Sequence, residues 1–128
     1  MLHREEIICL LNETAFDIDE YWVTSGAAMV LHGIKETTRD IDLGCTSQMA
    51  DKLESEGYHV EVLHDGSRKI AFSEQIEIFE NWIEDKVILL EGLPVVSIDG
   101  MIRMKEELGR EKDMEDILLI KKFRNSNR

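Results

Sequence analysis

Hydrophobic and polar positions recur along this chain with two different periods, which together predict a mixture of helices and strands. Apolar residues three and four positions apart predict an amphipathic helix from Arg4 to Phe16. Short β-prone runs predict strands, and the Asp65-Gly66 dipeptide between two of them is typical of a hairpin turn because it supplies positive φ angles. The predicted strands span residues 21–24, 39–45, 58–64, 68–73, 75–80 and 86–91.

Four further segments follow a helical pattern. Thr46 or Ser47 is a suitable N-cap for one of these helices, and Gly57 is a suitable terminator. The predicted helices span residues 27–31, 47–56, 99–108 and 111–123. The order of the elements predicts an α/β (α+β) fold in which helices flank a small mixed sheet and the C-terminal end is helical.

Length and composition favour one globular domain that comprises residues 1–128. The chain is 43% hydrophobic and 33% charged, and it lacks repeats, low-complexity tracts and Pro/Gly/Ser-rich linkers. Its two cysteines, Cys9 and Cys45, exclude a disulfide framework and a four-cysteine zinc site. Two reduced thiols, and the lack of any run approaching about 20 apolar residues, predict a cytoplasmic protein without a membrane segment.

The charge balance limits the classes of partner that the protein can bind. Fifteen Lys and Arg residues against 27 Asp and Glu residues give a net charge of −12. Such a chain repels phosphate backbones and anionic membranes, so we expect neither a broad nucleic-acid surface nor membrane binding.

Two aspartates in the strand at residues 39–45 are the first candidates for chemistry. Alternation places Asp40 and Asp42 on one strand face, and the apolar side chains of Ile41, Leu43 and Cys45 on the other. Carboxylates at positions i and i+2 of a strand lie roughly 6 to 7 Å apart at their Cα atoms and can share divalent cations such as Mg²⁺. We expect a third carboxylate from a neighbouring strand, with Glu77 as the candidate and Glu61 as the alternative.

A strand, a tight turn and a helix precede this pair. A glycine at the Ser25-Gly26 turn lets backbone N–H groups approach a phosphate, and the first turn of the following helix adds its positive end. Together with carboxylates that hold one or two Mg²⁺ ions, this arrangement suits nucleotidyl transfer.

These segments resemble the DNA polymerase β-like nucleotidyltransferase superfamily, especially its small bacterial members related to the lincosamide and antitoxin-type nucleotidyltransferases. The superfamily pattern is a hydrophobic strand, a Gly-Gly or Gly-Ser turn, a helix and an Asp-x-Asp strand, which corresponds here to residues 23–33 and 38–43. Residues 110–117 are similar to the Arg-x-Lys-Asp-x-x-Asp helix start that several of these families carry. The resemblance therefore extends over about the whole chain.

The resemblance implies a role for each matching position. Ser25 and Gly26 would cradle the triphosphate, and Asp40 and Asp42 would hold Mg²⁺, with Glu77 as the third acidic position. The residues expected to neutralise phosphate charge are Lys105, Arg110 and Lys112, while Asp113 and Asp116 would cap the helix or orient those bases.

The implied function is an Mg²⁺-dependent nucleotidyltransferase that moves a nucleoside monophosphate from a nucleoside triphosphate to a hydroxyl of a small molecule or protein and releases pyrophosphate. Ser25 replaces the first glycine of the turn, and Glu36 stands where an arginine is frequent. Lys35 or Arg39 could compensate, but alternation places Arg39 on the face opposite Asp40. These departures motivate an alternative function, a catalytically weak or inactive binding module that is antitoxin-like or a regulatory partner.

The region that would receive the acceptor is small. The chain has room for two C-terminal helices and not for a helical acceptor domain, so a homodimer could supply the missing wall. Trp82 follows the Glu77 strand and is interpreted as a core or dimer residue, with stacking on a nucleobase as the alternative.

Overall fold

The computed structural model of the chain describes residues 1–82 and 85–126. Within these residues the chain forms five helices and nine strands. The helices are α1 (Arg4–Asn12), α2 (Ser25–Leu31), α3 (Ser47–Ser55), α4 (Ile98–Leu108) and α5 (Glu111–Ser126). The strands are β1 (Leu2–His3), β2 (Tyr21–Thr24), β3 (Thr37–Thr38), β4 (Ile41–Cys45), β5 (His59–Val62), β6 (Arg68–Ala71), β7 (Ile76–Glu80), β8 (Val87–Leu90) and β9 (Leu93–Val96).

Seven of the strands form one mixed sheet in the order β5-β6-β7-β4-β2-β9-β8. Strand β4 lies in the middle, antiparallel to β2 and parallel to β7. The short strands β1 and β3 pair with each other in a separate two-stranded sheet. The predicted α/β (α+β) class, a mixed sheet with helices and a helical C-terminal end, is confirmed. Among the described helices, none combines the length and the apolar character that crossing a bilayer requires.

The alternation of β4 divides the sheet into an apolar face and a polar face. Ile41, Leu43 and Cys45 are 0% exposed, whereas the intervening Asp42 keeps some contact with solvent. Helices α2 and α3 contact the sheet and contribute their buried side chains to the same core. On the opposite face, the Thr24 hydroxyl donates a hydrogen bond to the sulfur of Met104 in α4 (3.4 Å). The predicted apolar face of this strand is confirmed.

Several predicted boundaries differ from the structure. Helix α1 ends at Asn12, because the backbone N–H and the hydroxyl of Thr14 both bond to the Leu11 carbonyl. Phe16 lies outside the helix, where its ring packs edge-on against the rings of Tyr21 and Phe72. Strands β1, β3 and β9 were not predicted, and α5 runs to residue 126 instead of 123.

Gly44 allows an aromatic side chain to lie across the polar face of the sheet. A Cβ atom at this position would lie 2.1 Å from the indole nitrogen of Trp22 and 2.6 Å from the Trp82 carbonyl oxygen. The Trp22 indole N–H donates a hydrogen bond to that carbonyl (2.9 Å). The missing side chain of Gly44 therefore leaves the space in which Trp22 fixes the backbone of Trp82.

We expect Gly44→Ala to lower the free energy of unfolding by about 1–3 kcal/mol, since the added methyl group must displace the Trp22 ring or the Trp82 backbone. Urea denaturation measures the change. Gly57→Ala is the control, because that position has open space around a Cβ but a φ of +94°. Gly57→Ala should lower the free energy of unfolding by about 1 kcal/mol, from backbone strain alone. An unchanged urea midpoint for Gly44→Ala would contradict the packing argument.

Candidate functional site

A cavity of about 530 Å³ lies beside the polar face of β4 and contains most of the predicted site residues. Those that line it are Ser25, Gly26, Asp40, Asp42, Lys105, Arg110 and Lys112. They come from the start of α2, from β4 and the bend before it, and from the C-terminal helices. Glu77 is not among the lining residues. The fold thus brings together three segments that are far apart in the sequence.

Asp40 and Asp42 form the acidic part of the cavity. Asp40 lies in a bend immediately before β4, and Asp42 is the second residue of that strand. Burial raises the pKa of Asp42 to about 6, and the negative charges of Asp40 and Glu77 add to the rise, while Lys112 and Lys69 oppose it. A cation placed among these carboxylates would relieve their mutual repulsion.

Glu77 lies beside Asp42 on the neighbouring strand. The parallel register pairs Asp42 with Glu77, and the carboxylate of Glu77 forms an ion pair with Lys69 of β6 (3.1 Å). Glu61, the alternative candidate, lies on β5, three strands from β4. At about 4.8 Å per strand spacing this is about 14 Å. The register therefore favours Glu77 over Glu61 as the third carboxylate.

The Ser25-Gly26 turn lies against the segment that leads to the aspartates. A Cβ atom at Gly26 would lie 2.5 Å from the Thr38 hydroxyl oxygen, so a glycine is needed here for close packing. That hydroxyl donates to the Asp40 carbonyl (3.2 Å), which ties the turn to the acidic pair. Ser25 has a φ of +55°, so the serine adopts the left-handed conformation that a glycine adopts without strain.

Ion pairs organise the basic side of the cavity. Asp116 of α5 binds the ammonium groups of both Lys105 and Lys35 at 2.9 Å. Asp113 accepts hydrogen bonds from the backbone N–H and the guanidinium of Arg110. The hydrogen bond from the Arg110 side chain lowers the pKa of Asp113, and burial opposes this effect. Asp116 thus holds Lys105, and Asp113 both holds the Arg110 side chain and accepts the backbone N–H just before α5, whereas Lys112 pairs with neither aspartate.

Two basic residues reach the cavity without such a partner. Lys112 and Arg39 line it, and neither forms an ion pair with a residue in the described ranges 1–82 and 85–126. The prediction that Arg39 lies on the face opposite Asp40 is wrong. Strand β4 begins at Ile41, so the two-residue alternation does not extend back to Arg39.

The donor set suits Mg²⁺, although the carboxylates do not form a complete cage. Within the part of the chain that the structure describes, no group of three or more His, Cys, Asp or Glu side chains is arranged to hold a metal ion. Protein sites for Mg²⁺ often supply only one or two carboxylates and leave the remaining positions to water and substrate phosphates. Asp40 and Asp42 meet that requirement, and the metal site stays a prediction.

The structure adds residues to the site that the sequence did not reveal. Thr38, Met104 and Leu108 line the cavity, and Lys69 holds Glu77 from outside it. The strand register and the docking of α4 bring these residues to the site, and neither leaves a local sequence signal.

Three comparisons with known proteins found no match for this chain. No protein-family model matches it, and neither a curated protein nor a solved structure does so. The geometry of the cavity therefore carries the functional inference.

We expect Asp42→Asn to stabilise the protein at pH 7.5. Because the pKa of Asp42 is raised in the folded state, its contribution to stability is fully present below the ordinary pKa of about 4 and is lost as the pH rises through about 6. The free energy of unfolding of the variant should exceed that of the original protein by about 1 kcal/mol at pH 7.5. The difference is small because partial solvent contact screens the repulsion. At pH 4 the two should be equal. Urea denaturation in EDTA at several pH values measures this.

Asp19→Asn is the matched control, since it removes one carboxylate in the loop at the opposite end of β2. It should leave the pH dependence of stability between pH 4 and 7.5 unchanged. An Asp42→Asn variant with the same pH dependence as the original protein would show that the carboxylate is not destabilised in the folded state.

Proposed function

We propose that this protein is an Mg²⁺-dependent nucleotidyltransferase with a polymerase β-like fold. It would move a nucleoside monophosphate from a nucleoside triphosphate to a hydroxyl of a small molecule or protein. The observation that carries the proposal is the charge arrangement of the cavity. In a chain with a net charge of −12, five basic side chains and four aspartates line this cavity; the basic ones are Lys35, Arg39, Lys105, Arg110 and Lys112. Asp113 and Asp116 are paired with three of these bases, so Asp40 and Asp42 are the acidic pair of the cavity without an ion-pair partner among the described residues.

This arrangement selects an anion that arrives with a cation. The basic residues attract a polyphosphate, whereas Asp40 and Asp42 repel it unless a divalent ion lies between them and the phosphates. A nucleoside triphosphate complexed with Mg²⁺ satisfies both groups. An anion without a metal, or a metal without an anion, satisfies only one of them.

Asp40 and Asp42 are the residues that would hold the ion. When bound, Mg²⁺ neutralises charge on the phosphates and on the departing pyrophosphate. Ser25 and Gly26 line the cavity beside the pair and are assigned to the triphosphate. Lys112, which has no ion-pair partner among the described residues, is available to contact a phosphate directly.

Lys105 and Arg110 are held more tightly. The Lys105 side chain is 5% exposed and is paired with Asp116, so it contributes a fixed positive charge to the wall. Arg110 is more exposed and keeps donors free besides those that Asp113 accepts. Both residues would strengthen the field that a triphosphate meets in the cavity.

The proposed reaction is a displacement at the α-phosphorus. A bond forms between the acceptor oxygen and the α-phosphorus, the bond from that phosphorus to the α,β-bridging oxygen breaks, and pyrophosphate leaves. The hydroxyl proton passes to a carboxylate, for which we assign Glu77. Its place beside Asp42 in the β4–β7 register supports this role.

The alternative function, a binding module without turnover, uses the same cavity. Ser25 adopts a left-handed backbone conformation, which glycine also adopts readily, so the serine is compatible with a turn at this position. Binding alone would then depend on the same residues as transfer. The two functions differ only in whether the nucleoside monophosphate is transferred to an acceptor.

We expect transfer of label when the protein is incubated with Mg²⁺, each α-labelled nucleoside triphosphate and a cell extract. Pyrophosphate should be released in equal amount. Asp40→Asn and Asp42→Asn should each reduce transfer by at least about 100-fold, since the metal would lose a carboxylate ligand. Asp19→Asn should retain full transfer. If no triphosphate labels any acceptor but Mg²⁺-ATP still binds, the protein is the binding module.

We expect Lys112→Glu to raise the Kd for Mg²⁺-ATP about tenfold, because the exchange replaces a phosphate-binding cation by an anion. Lys121→Glu is the matched control, since Lys121 is an exposed lysine on the same helix that does not line the cavity. It should leave the Kd unchanged. Isothermal titration calorimetry measures both values, and equal weakening by the two variants would indicate an effect of net charge instead of a cavity contact.

A further inference from the structure

We propose that Trp82 and Phe79 form the nucleobase-binding surface of this cavity, on which the base of a nucleoside triphosphate stacks. This inference rests on the proposed function, since it assigns a further part of the same substrate. It also assigns to Trp82 the role that the sequence left as the alternative to a core or dimer position. Both aromatic residues line the cavity that contains Asp40 and Asp42.

A ring contact and a hydrogen bond to the backbone hold the aromatic pair in place. The Trp82 and Phe79 rings contact each other with their centroids 4.6 Å apart and their planes tilted by 44°. The Trp82 carbonyl accepts the hydrogen bond from the Trp22 indole N–H over Gly44. This anchor uses the backbone of Trp82, so its indole ring is available to a ligand.

Phe79 is fixed by the strand register. It lies two residues after Glu77 on β7, on the same strand face, at a Cα distance of roughly 6 to 7 Å. Its register partner on β4 is Gly44, two residues beyond Asp42. Phe79 is therefore adjacent to Asp42 on the same face of the sheet.

Three kinds of chemistry follow one another across this face. The aromatic ring of Phe79 lies on β7, and the acidic Asp42 lies on the next strand, β4. Helix α4, which brings Lys105 to the cavity, docks on β2 through Met104 and Thr24. A nucleotide has the same order of parts, with the base at one end, the α-phosphate with its metal in the middle and the outer phosphates at the other end. The match favours a bound nucleotide whose base lies on the aromatic pair.

Stacking of this kind depends on the π-face that every base has, and purines present the larger face. We therefore expect ATP and GTP to bind more tightly than CTP and UTP, with only a modest preference between the two purines.

The test compares two anions that differ in the nucleoside. The Kd values of Mg²⁺-ATP and of Mg²⁺-tripolyphosphate are measured by calorimetry for the original protein, Trp82→Ala and Trp82→Phe. We expect ATP to bind at least about tenfold more tightly than tripolyphosphate in the original protein. Trp82→Ala should remove this advantage and leave the Kd of tripolyphosphate unchanged, whereas Trp82→Phe should keep most of it.

Intrinsic fluorescence supplies a second measurement. The chain has two tryptophans, and Trp22 is only 6% exposed. ATP should quench the emission of the original protein. In Trp82→Phe it should bind without quenching, because the remaining indole does not contact the base.

The outcomes separate the two proposals. Equal affinities for ATP and tripolyphosphate in the original protein would overturn the stacking surface and leave the proposed function intact. Loss of affinity for both anions in Trp82→Ala, with no loss in Trp82→Phe, would assign Trp82 to the fold and also overturn the surface. If neither anion binds the original protein in Mg²⁺, the proposed function itself fails.

Discussion

The two-residue period of β4 is the constraint on which the rest of the structure depends. One strand must place Ile41 and Leu43 in the core while it turns Asp42 toward the cavity. Neighbouring strands then inherit this division through their register, which brings Thr24 and Glu77 beside Asp42. A shift of one residue would bury the Asp42 carboxylate and turn Ile41, Leu43 and Cys45 out of the core, so the core that stabilises the sheet also fixes the position of the acidic group.

Like charges lie close together in the cavity, and neighbouring basic residues offset part of their repulsion. Asp42 lies near two other carboxylates, and the positive charges of Lys112 on α5 and Lys69 on β6 oppose the repulsion. Among the other cations of the wall, Lys35 and Lys105 pair with Asp116, and Arg110 pairs with Asp113, which is 1% exposed. The wall of the cavity is thus a chain of alternating charges. For the proposed function, such a wall would be preorganised, since little rearrangement would be needed to receive an anion.

Local sequence patterns predicted those features that depend on neighbours in the chain. Thr46 caps α3 by accepting the Met49 N–H, and Gly57 follows the end of that helix with a positive φ. Strand β4 carries Asp42 between buried apolar residues as the alternation indicated, whereas Asp40 lies in the bend before the strand. The positions that could not be predicted depend on tertiary contacts. Arg39 faces the cavity because its strand starts two residues later, and the pairing of β1 with β3 joins two-residue segments too short to leave a periodic signal.

The double ion pair of Asp116 has a consequence for the order in which the molecule is built on the ribosome. Asp116 joins Lys35, which is translated early, to Lys105, and it lies on the last helix described. A nascent chain can therefore pair its sheet strands before either lysine has its counterion. The wall of the cavity is therefore completed late, when α5 emerges and docks.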